Sequence, residues 1–143
     1  LEAPRWQELR RLSENTFVLE DWFELFVAQN LCVDGLLYPL AYEHVVDRHL
    51  TARGGACVAM LTAFMTGWYE ETGRWVDAVV RTAAAESDAN RERLRGWALH
   101  WRDRALAALA PLVAHALGEH ADALLAATAH DFDVRLRAVG LAT

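Results

Sequence analysis

The spacing of the large apolar residues constrains the fold more than any other feature of the sequence. These residues recur every three or four positions, which places them on one face of an α-helix, whereas a half-buried strand would need strict alternation. The clearest case lies between about residues 56 and 86, a stretch that would span roughly 45 Å as a single helix. Helices of that length are typical of bundles. Its apolar stripe consists of Cys57, Met60, Leu61, Phe64, Trp68, Trp75, Val79 and Ala83.

The same pattern predicts three further helices. The first covers about residues 18–50, and Pro39 is expected to kink or interrupt it because proline lacks an amide donor. The third follows the capping residues near 87–90, is expected to be interrupted at Pro111, and ends near residue 118. The fourth covers about residues 120–140. We therefore predict an all-α, helical bundle of about four main helices, and a single domain over residues 1–143.

Composition limits the partners that such a bundle can have. More than half of the 143 residues are hydrophobic, which is sufficient for a buried core. Six tryptophans are more than a small bundle can bury fully, so some are expected to face another chain. The formal charge of −6 and the lack of any basic run predict no nucleic-acid partner and no anionic membrane surface.

The location of the protein is predicted from what the sequence lacks. No uncharged apolar stretch of about 18 residues occurs, so no segment is expected to span a membrane. The N-terminal residues are polar and do not resemble a secretory signal, and we expect a cytoplasmic protein. Cys32 and Cys57 fall in apolar stretches and are expected to be reduced core thiols. Because the sequence does not begin with Met, we expect a piece of a longer or processed protein.

A helical bundle raises the question of a carboxylate-bridged metal centre, which needs Glu-x-x-His on two helices. No acidic residue here has a histidine three positions later. His44 and His49 are five residues apart, as are His115 and His120, so each pair is expected to splay across an α-helix. No nucleophile elbow, phosphate loop or Cys-x-x-Cys motif is present. The sequence therefore predicts no catalytic, cofactor-binding or metal-binding residue in this chain.

Three polar residues interrupt the apolar stretch of the first predicted helix, namely Gln29, Asn30 and Asp34. They either form an internal hydrogen-bonded network or face a partner subunit. Both alternatives stay open at the level of sequence.

Several segments together resemble one family of proteins, the smaller, ferritin-like and iron-free (beta) hydroxylase subunit of bacterial multicomponent phenol and toluene monooxygenases. The likeness extends from about residue 5 to residue 117 and is weaker beyond it. The segments that carry it are Asp21-Trp22-Phe23-Glu24-Leu25, Ala28-Gln29-Asn30-Leu31, Asp34-Gly35-Leu36-Leu37, Ala59-Met60-Leu61-Thr62, Phe64-Met65, Trp68-Tyr69 and Arg74-Trp75-Val76-Asp77-Ala78.

The resemblance implies a function without an active site in this chain. The family's subunit is longer, and this sequence looks like its C-terminal part. In such enzymes a separate large subunit carries the di-iron centre, and a small third subunit completes a hydroxylase that is usually a dimer of heterotrimers. An NADH-dependent reductase and a small regulatory protein complete the system. The resemblance thus implies a structural subunit of an aromatic hydroxylase that packs against the iron-bearing chain.

Four aromatic residues are the predicted anchors, either of a subunit contact or of the core: Trp22, Phe26, Trp68 and Trp75. An alternative function is a stand-alone helical domain that binds a ligand in a hydrophobic cavity or dimerises. That alternative explains the composition and the periodicity equally well, but it does not explain the run of matching segments.

Overall fold

The computed structural model describes residues 2–141, and helices make up nearly all of that part of the chain. Helix α1 covers Gln7–Thr16 and follows a 3-10 turn at Pro4–Trp6. The composite helix α2 covers residues 22–53. Helices α3, α4 and α5 follow at Ala56–Glu86, Asp88–Leu117 and Ala121–Ala138, with a 3-10 turn at Gly118–His120 before α5. The prediction of an all-α bundle of about four main helices is confirmed, and α1 is a shorter addition.

Helix α2 changes its hydrogen-bonding pattern along its length. It begins where the Asp21 carboxylate accepts hydrogen bonds from the amides of Phe23 and Glu24, at 2.8 and 3.3 Å. Its successive parts are an α-helical turn at Trp22–Phe26, a π-helix at Val27–Val33, an α-helical turn at Asp34–Tyr38, a second π-helix at Pro39–Leu50 and a 3-10 turn at Thr51–Arg53.

Neither Pro39 nor Pro111 ends its helix, so the chain is not interrupted at either position. The chain stays helical through Pro39 and changes to the wider i→i+5 pattern there. Helix α4 continues through Pro111 to Leu117, so the predicted interruption at Pro111 is wrong. The neighbours Leu40 and Leu109 are buried, and this burial offsets the hydrogen bond that a proline removes.

The core forms where α2 packs against α4. Apart from one adjacent pair, the buried residues of α4 follow each other at intervals of three or four, which gives one continuous apolar face. They are Leu94, Ala98, Trp101, Ala105, Ala108, Leu109, Val113 and Leu117. The matching residues of α2 are Val27, Ala28, Leu31, Cys32, Val33, Leu36 and Leu40. Helix α1 adds Leu12 to this core, and α5 adds Phe132 and Leu136.

Two mostly buried arginines attach α5 and α4 to their neighbours. The Arg135 guanidinium of α5 donates to the Asp77 carboxylate of α3 at 2.8 Å and to the Tyr69 hydroxyl at 3.3 Å. The Arg102 guanidinium of α4 forms an ion pair with Asp133 of α5, in which Nη2 donates to Oδ2 at 2.8 Å. Removal of one partner would leave a buried charge without compensation, so these pairs fix the position of α5.

Gly35 is expected to tolerate no larger residue. A Cβ atom there would lie 2.7 Å from Arg135 Nη1 and 2.9 Å from Phe132 Cε2. We predict that Gly35→Ala lowers the free energy of unfolding by about 1–3 kcal/mol through overpacking. The matched control is Gly96→Ala, because a Cβ atom at Gly96 meets nothing within 4 Å. That variant should gain about 0.5–1 kcal/mol from helix propensity. Urea unfolding measures the change in free energy of unfolding for each variant, and equal changes would contradict the close packing at Gly35.

The buried Trp101 indole donates to Glu24 Oε1 at 3.0 Å and so links α4 to the first turn of α2. We predict that Trp101→Phe and Glu24→Leu each destabilise the protein. The loss in free energy of unfolding in the double variant should be smaller than the sum of the two single losses by about 1 kcal/mol. In the double variant no buried polar group is left without its hydrogen-bond partner. A double-mutant cycle in urea measures this coupling energy, and a value of zero would show that the hydrogen bond does not stabilise the fold.

Candidate subunit-contact surface

Helix α3 carries several large apolar side chains that the rest of the chain leaves exposed. Residues 56–75 include no buried residue, and Val76 is the first buried position of the helix. Phe64 is 69% exposed, which is far more than a core phenylalanine. We call these exposed residues the outer stripe, and they are Met60, Leu61, Phe64, Trp68 and Trp75.

The outer stripe lies almost opposite to the face that α3 contributes to the core. The core face is formed by Val76, Val80 and Ala84. At about 100° per residue, the centre of the outer stripe is about 140° around the helix from the centre of the core face. Helix α3 therefore has two apolar faces, and the chain's own core covers only one of them. Several large exposed apolar side chains on one face of a helix are typical of an interaction site.

The four predicted anchors lie at or beside this surface. Trp22, Trp68 and Trp75 are 71%, 51% and 56% exposed, so they are not core residues of the described chain. Phe26 is half-buried, packs against the core and contacts the Trp75 ring edge-to-face, with a centroid distance of 5.4 Å. Their role in contacting another subunit stays a prediction.

A row of aromatic rings connects α2 with the outer stripe. Trp22 contacts Phe23 edge-to-face at 5.0 Å, Phe23 contacts Phe26 at 5.5 Å, and Phe26 reaches Trp75 of α3. Because each ring rests on the next, the exposed tryptophans are held in place by partly buried ones. Phe17 is also highly exposed, just before α2 in the chain. Sequence reasoning missed Phe17, because a single residue in a turn contributes to no helical period.

A second aromatic group, centred on Tyr38 of α2, contacts Trp68. The Tyr38 ring stacks on Tyr69 at 5.2 Å and contacts Trp68 at 5.7 Å and Tyr42 at 5.3 Å. Burial raises the pKa of Tyr69, whose hydroxyl donates to the Gly35 carbonyl at 3.4 Å. Trp68 thus packs against Tyr38 on one side, and the rest of its ring is exposed to solvent. Sequence reasoning missed Tyr38 and Tyr42, which lie on both sides of Pro39, where the helical pattern was expected to break.

The histidines of α2 are arranged differently from the expectation. His44 and His49 both line one cavity, which His120 also borders, because the segment Pro39–Leu50 is π-helical. Burial, and then the charge of Arg48, lowers the pKa of His44. Within residues 2–141, no three His, Cys, Asp or Glu side chains are grouped so that they could hold a metal ion.

The polar residues in the apolar part of α2 form a local pair. Gln29 Nε2 donates to Asp34 Oδ1 at 3.1 Å. Burial raises the pKa of Asp34, and the hydrogen bond from Gln29 opposes that shift. Gln29 is exposed, so this pair lies at the surface and is not an internal network of the core.

The two cysteines occupy contrasting positions. Cys32 is fully buried, its thiol donates to the Ala98 carbonyl at 3.5 Å, and burial raises its pKa so strongly that it stays protonated. Cys57 is exposed at the start of α3. The prediction of a core thiol is therefore wrong for Cys57, because the apolar stripe to which it belongs faces outward.

None of the helices within residues 2–141 is both long enough and apolar enough to cross a membrane.

Comparison with known sequences places this chain among multicomponent hydroxylases. The family described as methane/phenol/alkene hydroxylase matches residues 1–87. The chain is 50% identical over 141 residues to the oxygenase component DmpL of phenol 2-monooxygenase from Pseudomonas sp. strain CF600, which covers 99% of this chain and 41% of that protein. It is 38% identical over 117 residues to the oxygenase component MhpL from Acinetobacter pittii strain PHEA-2, with 82% of this chain and 35% of that protein covered.

A solved structure has the same fold. The crystal structure of xenon-pressurized phenol hydroxylase from Pseudomonas sp. OX1 contains a chain that matches 99% of this one with a TM-score of 0.91 and 37% identity. The match covers 42% of that chain, so the protein studied here spans about two fifths of the length of these relatives. The predicted ferritin-like helical fold and the predicted resemblance are confirmed. The chain belongs to the methane, phenol and alkene hydroxylase family.

Proposed function

We propose that this chain is a non-catalytic, structural part of the oxygenase component of a di-iron aromatic hydroxylase. It packs through the outer stripe and the neighbouring aromatic rings against the large subunit that bears the iron. The observation that carries this proposal is the outer stripe itself, an apolar face of α3 that the chain's own core leaves uncovered. Relatives at 50% and 38% identity carry the name of phenol 2-monooxygenase oxygenase components, which supports the assignment to such an assembly.

The chemistry of the outer stripe fits a permanent interface. Obligate interfaces are large and more hydrophobic than transient ones. The residues that dominate their binding energy are enriched in tryptophan and lie in well-packed surroundings. Trp68 and Trp75 are tryptophans of this kind. Each packs on a ring of α2 on one side, and each is about half-exposed and so available to a partner. Such side chains lose little further conformational entropy when a partner covers them.

The reaction itself takes place elsewhere in the proposed assembly. The large subunit would hold the two irons, which would supply the chemistry for placing one atom of dioxygen on an aromatic substrate, the other atom leaving as water with two protons and two electrons from an NADH-dependent reductase. This chain contributes packing surface to a hetero-oligomer that also includes a small third subunit, in a dimer of heterotrimers. The proposed location is the cytoplasm.

The proposal is tested by purifying the protein from its native cells and measuring iron in each chain that comes with it. We expect a stoichiometric, larger, iron-bearing partner and a bait chain without iron. A bait that carries the iron itself would contradict the non-catalytic role. A bait that purifies alone would contradict the structural role and favour the stand-alone domain.

A single exposed substitution should separate assembly from folding. Phe64 lies in the outer stripe, whereas its neighbour Ala63 is exposed on a different side of α3. We predict that Phe64→Glu reduces the recovery of the large partner at least about tenfold, because a carboxylate is desolvated in an apolar interface. Ala63→Glu is the matched control and should leave recovery unchanged.

Urea unfolding should give both variants a free energy of unfolding within about 0.5 kcal/mol of the parent, since both positions are exposed. Equal recovery of the partner with the two variants would show that the outer stripe is not the contact surface.

A further inference from the structure

An apolar groove of about 350 Å³ lies on a part of the molecule that shares no residue with the outer stripe. It is bounded by the turn before α1, by the second π-helix of α2 and by the C-terminal half of α4. We propose that this groove binds a small amphiphile, with an apolar body of one or two rings and an anionic head group. This inference does not rest on the proposed structural role and concerns a different surface.

The interior of the groove selects for the apolar body. Its floor consists of Leu40, Leu109 and Val113, which are almost fully buried. Its walls add only hydrophobic side chains, among them Leu37 and Leu112. A dry apolar cavity of roughly 150 Å³ already holds benzene, so the volume here accommodates a molecule of one or two rings. Ligand pockets of this size typically combine an apolar lining with a few polar groups.

The rim of the groove supplies the charge complementarity for an anion. Arg5 and His115 are the polar side chains that border it. Arg10 and Arg11 are engaged with Glu14 and Glu8 on α1. Arg5, in contrast, forms no ion pair with any carboxylate of residues 2–141. In a chain with a net charge of −6, an unpaired guanidinium beside an apolar groove favours an anionic group.

Two irregularities of the helices, the second π-helix of α2 and Pro111 of α4, border this groove. Leu40 and Val45 belong to the π-helix that begins at Pro39, and Leu109 and Leu112 flank Pro111 of α4. A π-helical segment is rare and often occurs at a functional site, because the wider turn displaces the side chains beside it.

The test uses 2-naphthoate and its neutral isostere 2-naphthamide as probes in titration calorimetry with the purified protein. We expect saturable 1:1 binding of 2-naphthoate. Ala116→Trp should abolish it, because Ala116 lines the groove and a large ring would fill the space. Ala114→Trp is the matched control, as Ala114 is also exposed on α4 but does not line the groove, and it should leave binding unchanged.

The head group is tested separately with Arg5→Gln. We expect this variant to bind 2-naphthoate with about tenfold lower affinity than the parent. Its affinity for 2-naphthamide should stay within about twofold of the parent, since only the charged interaction is lost. The proposal is overturned if 2-naphthoate shows no saturable binding, or if Ala116→Trp and Ala114→Trp bind it equally. Equal loss for both probes with Arg5→Gln would overturn the anionic head group.

Discussion

The packing of α2 against α4 is the interaction on which the rest of the structure depends. It buries a continuous apolar face of α4 from Leu94 to Leu117 against the central residues of α2. Helix α3 is joined to α4 by the single residue Ser87, whose hydroxyl accepts a hydrogen bond from the Asn90 amide at 3.1 Å. That short connection aligns the second half of α3 with the core. The first half of α3 contributes no buried residue, and there its larger side chains turn outward.

The outer surface and the polar contacts between helices depend on this arrangement. The Arg135–Asp77 pair connects α5 to α3 at the position where α3 becomes buried, one residue after Val76. On the other side of the helix, Phe26 of α2 supports Trp75. The same turns of α3 thus contact the core on one side and support the exposed aromatic surface on the other. A partner that covers the outer stripe would meet side chains that the fold already holds in place, which lowers the entropic cost of association.

Periodicity predicted the helices because it is a local property, and the boundaries followed from capping residues such as Ser87 and from Gly118 with its positive φ of 58°. Helix α1 was missed because Leu12 and Thr16 are its only buried residues. The π-helical parts of α2 were not predicted, because the apolar residues there were assigned with the α-helical period of 3.6 residues. The resulting cavity that His44 and His49 share was therefore missed as well.

The exposure of the outer stripe shows what an apolar helical pattern does not reveal. An apolar stripe indicates that one face of a helix is covered, but it does not indicate by what. Cys57 illustrates this, because the pattern placed it in the core and the structure places it outside. The four predicted anchors lie in helices, and their exposure depends on the path of α3 relative to α2, which local periodicity does not specify. Whether another subunit covers them is a property of the assembly and not of this chain.

The native cysteines allow the most direct measurement of that cover. Cys57 is exposed and belongs to the apolar stripe of α3, while Cys32 is fully buried and serves as an internal control. The rate of alkylation of each thiol is measured by mass spectrometry in the isolated chain and in the oxygenase purified from native cells. The structure predicts rapid labelling of Cys57 in the isolated chain and no labelling of Cys32 in either form, and the proposed subunit contact predicts strong protection of Cys57 in the assembly. Equal labelling of Cys57 in both forms would contradict the claim that a partner covers this face of α3.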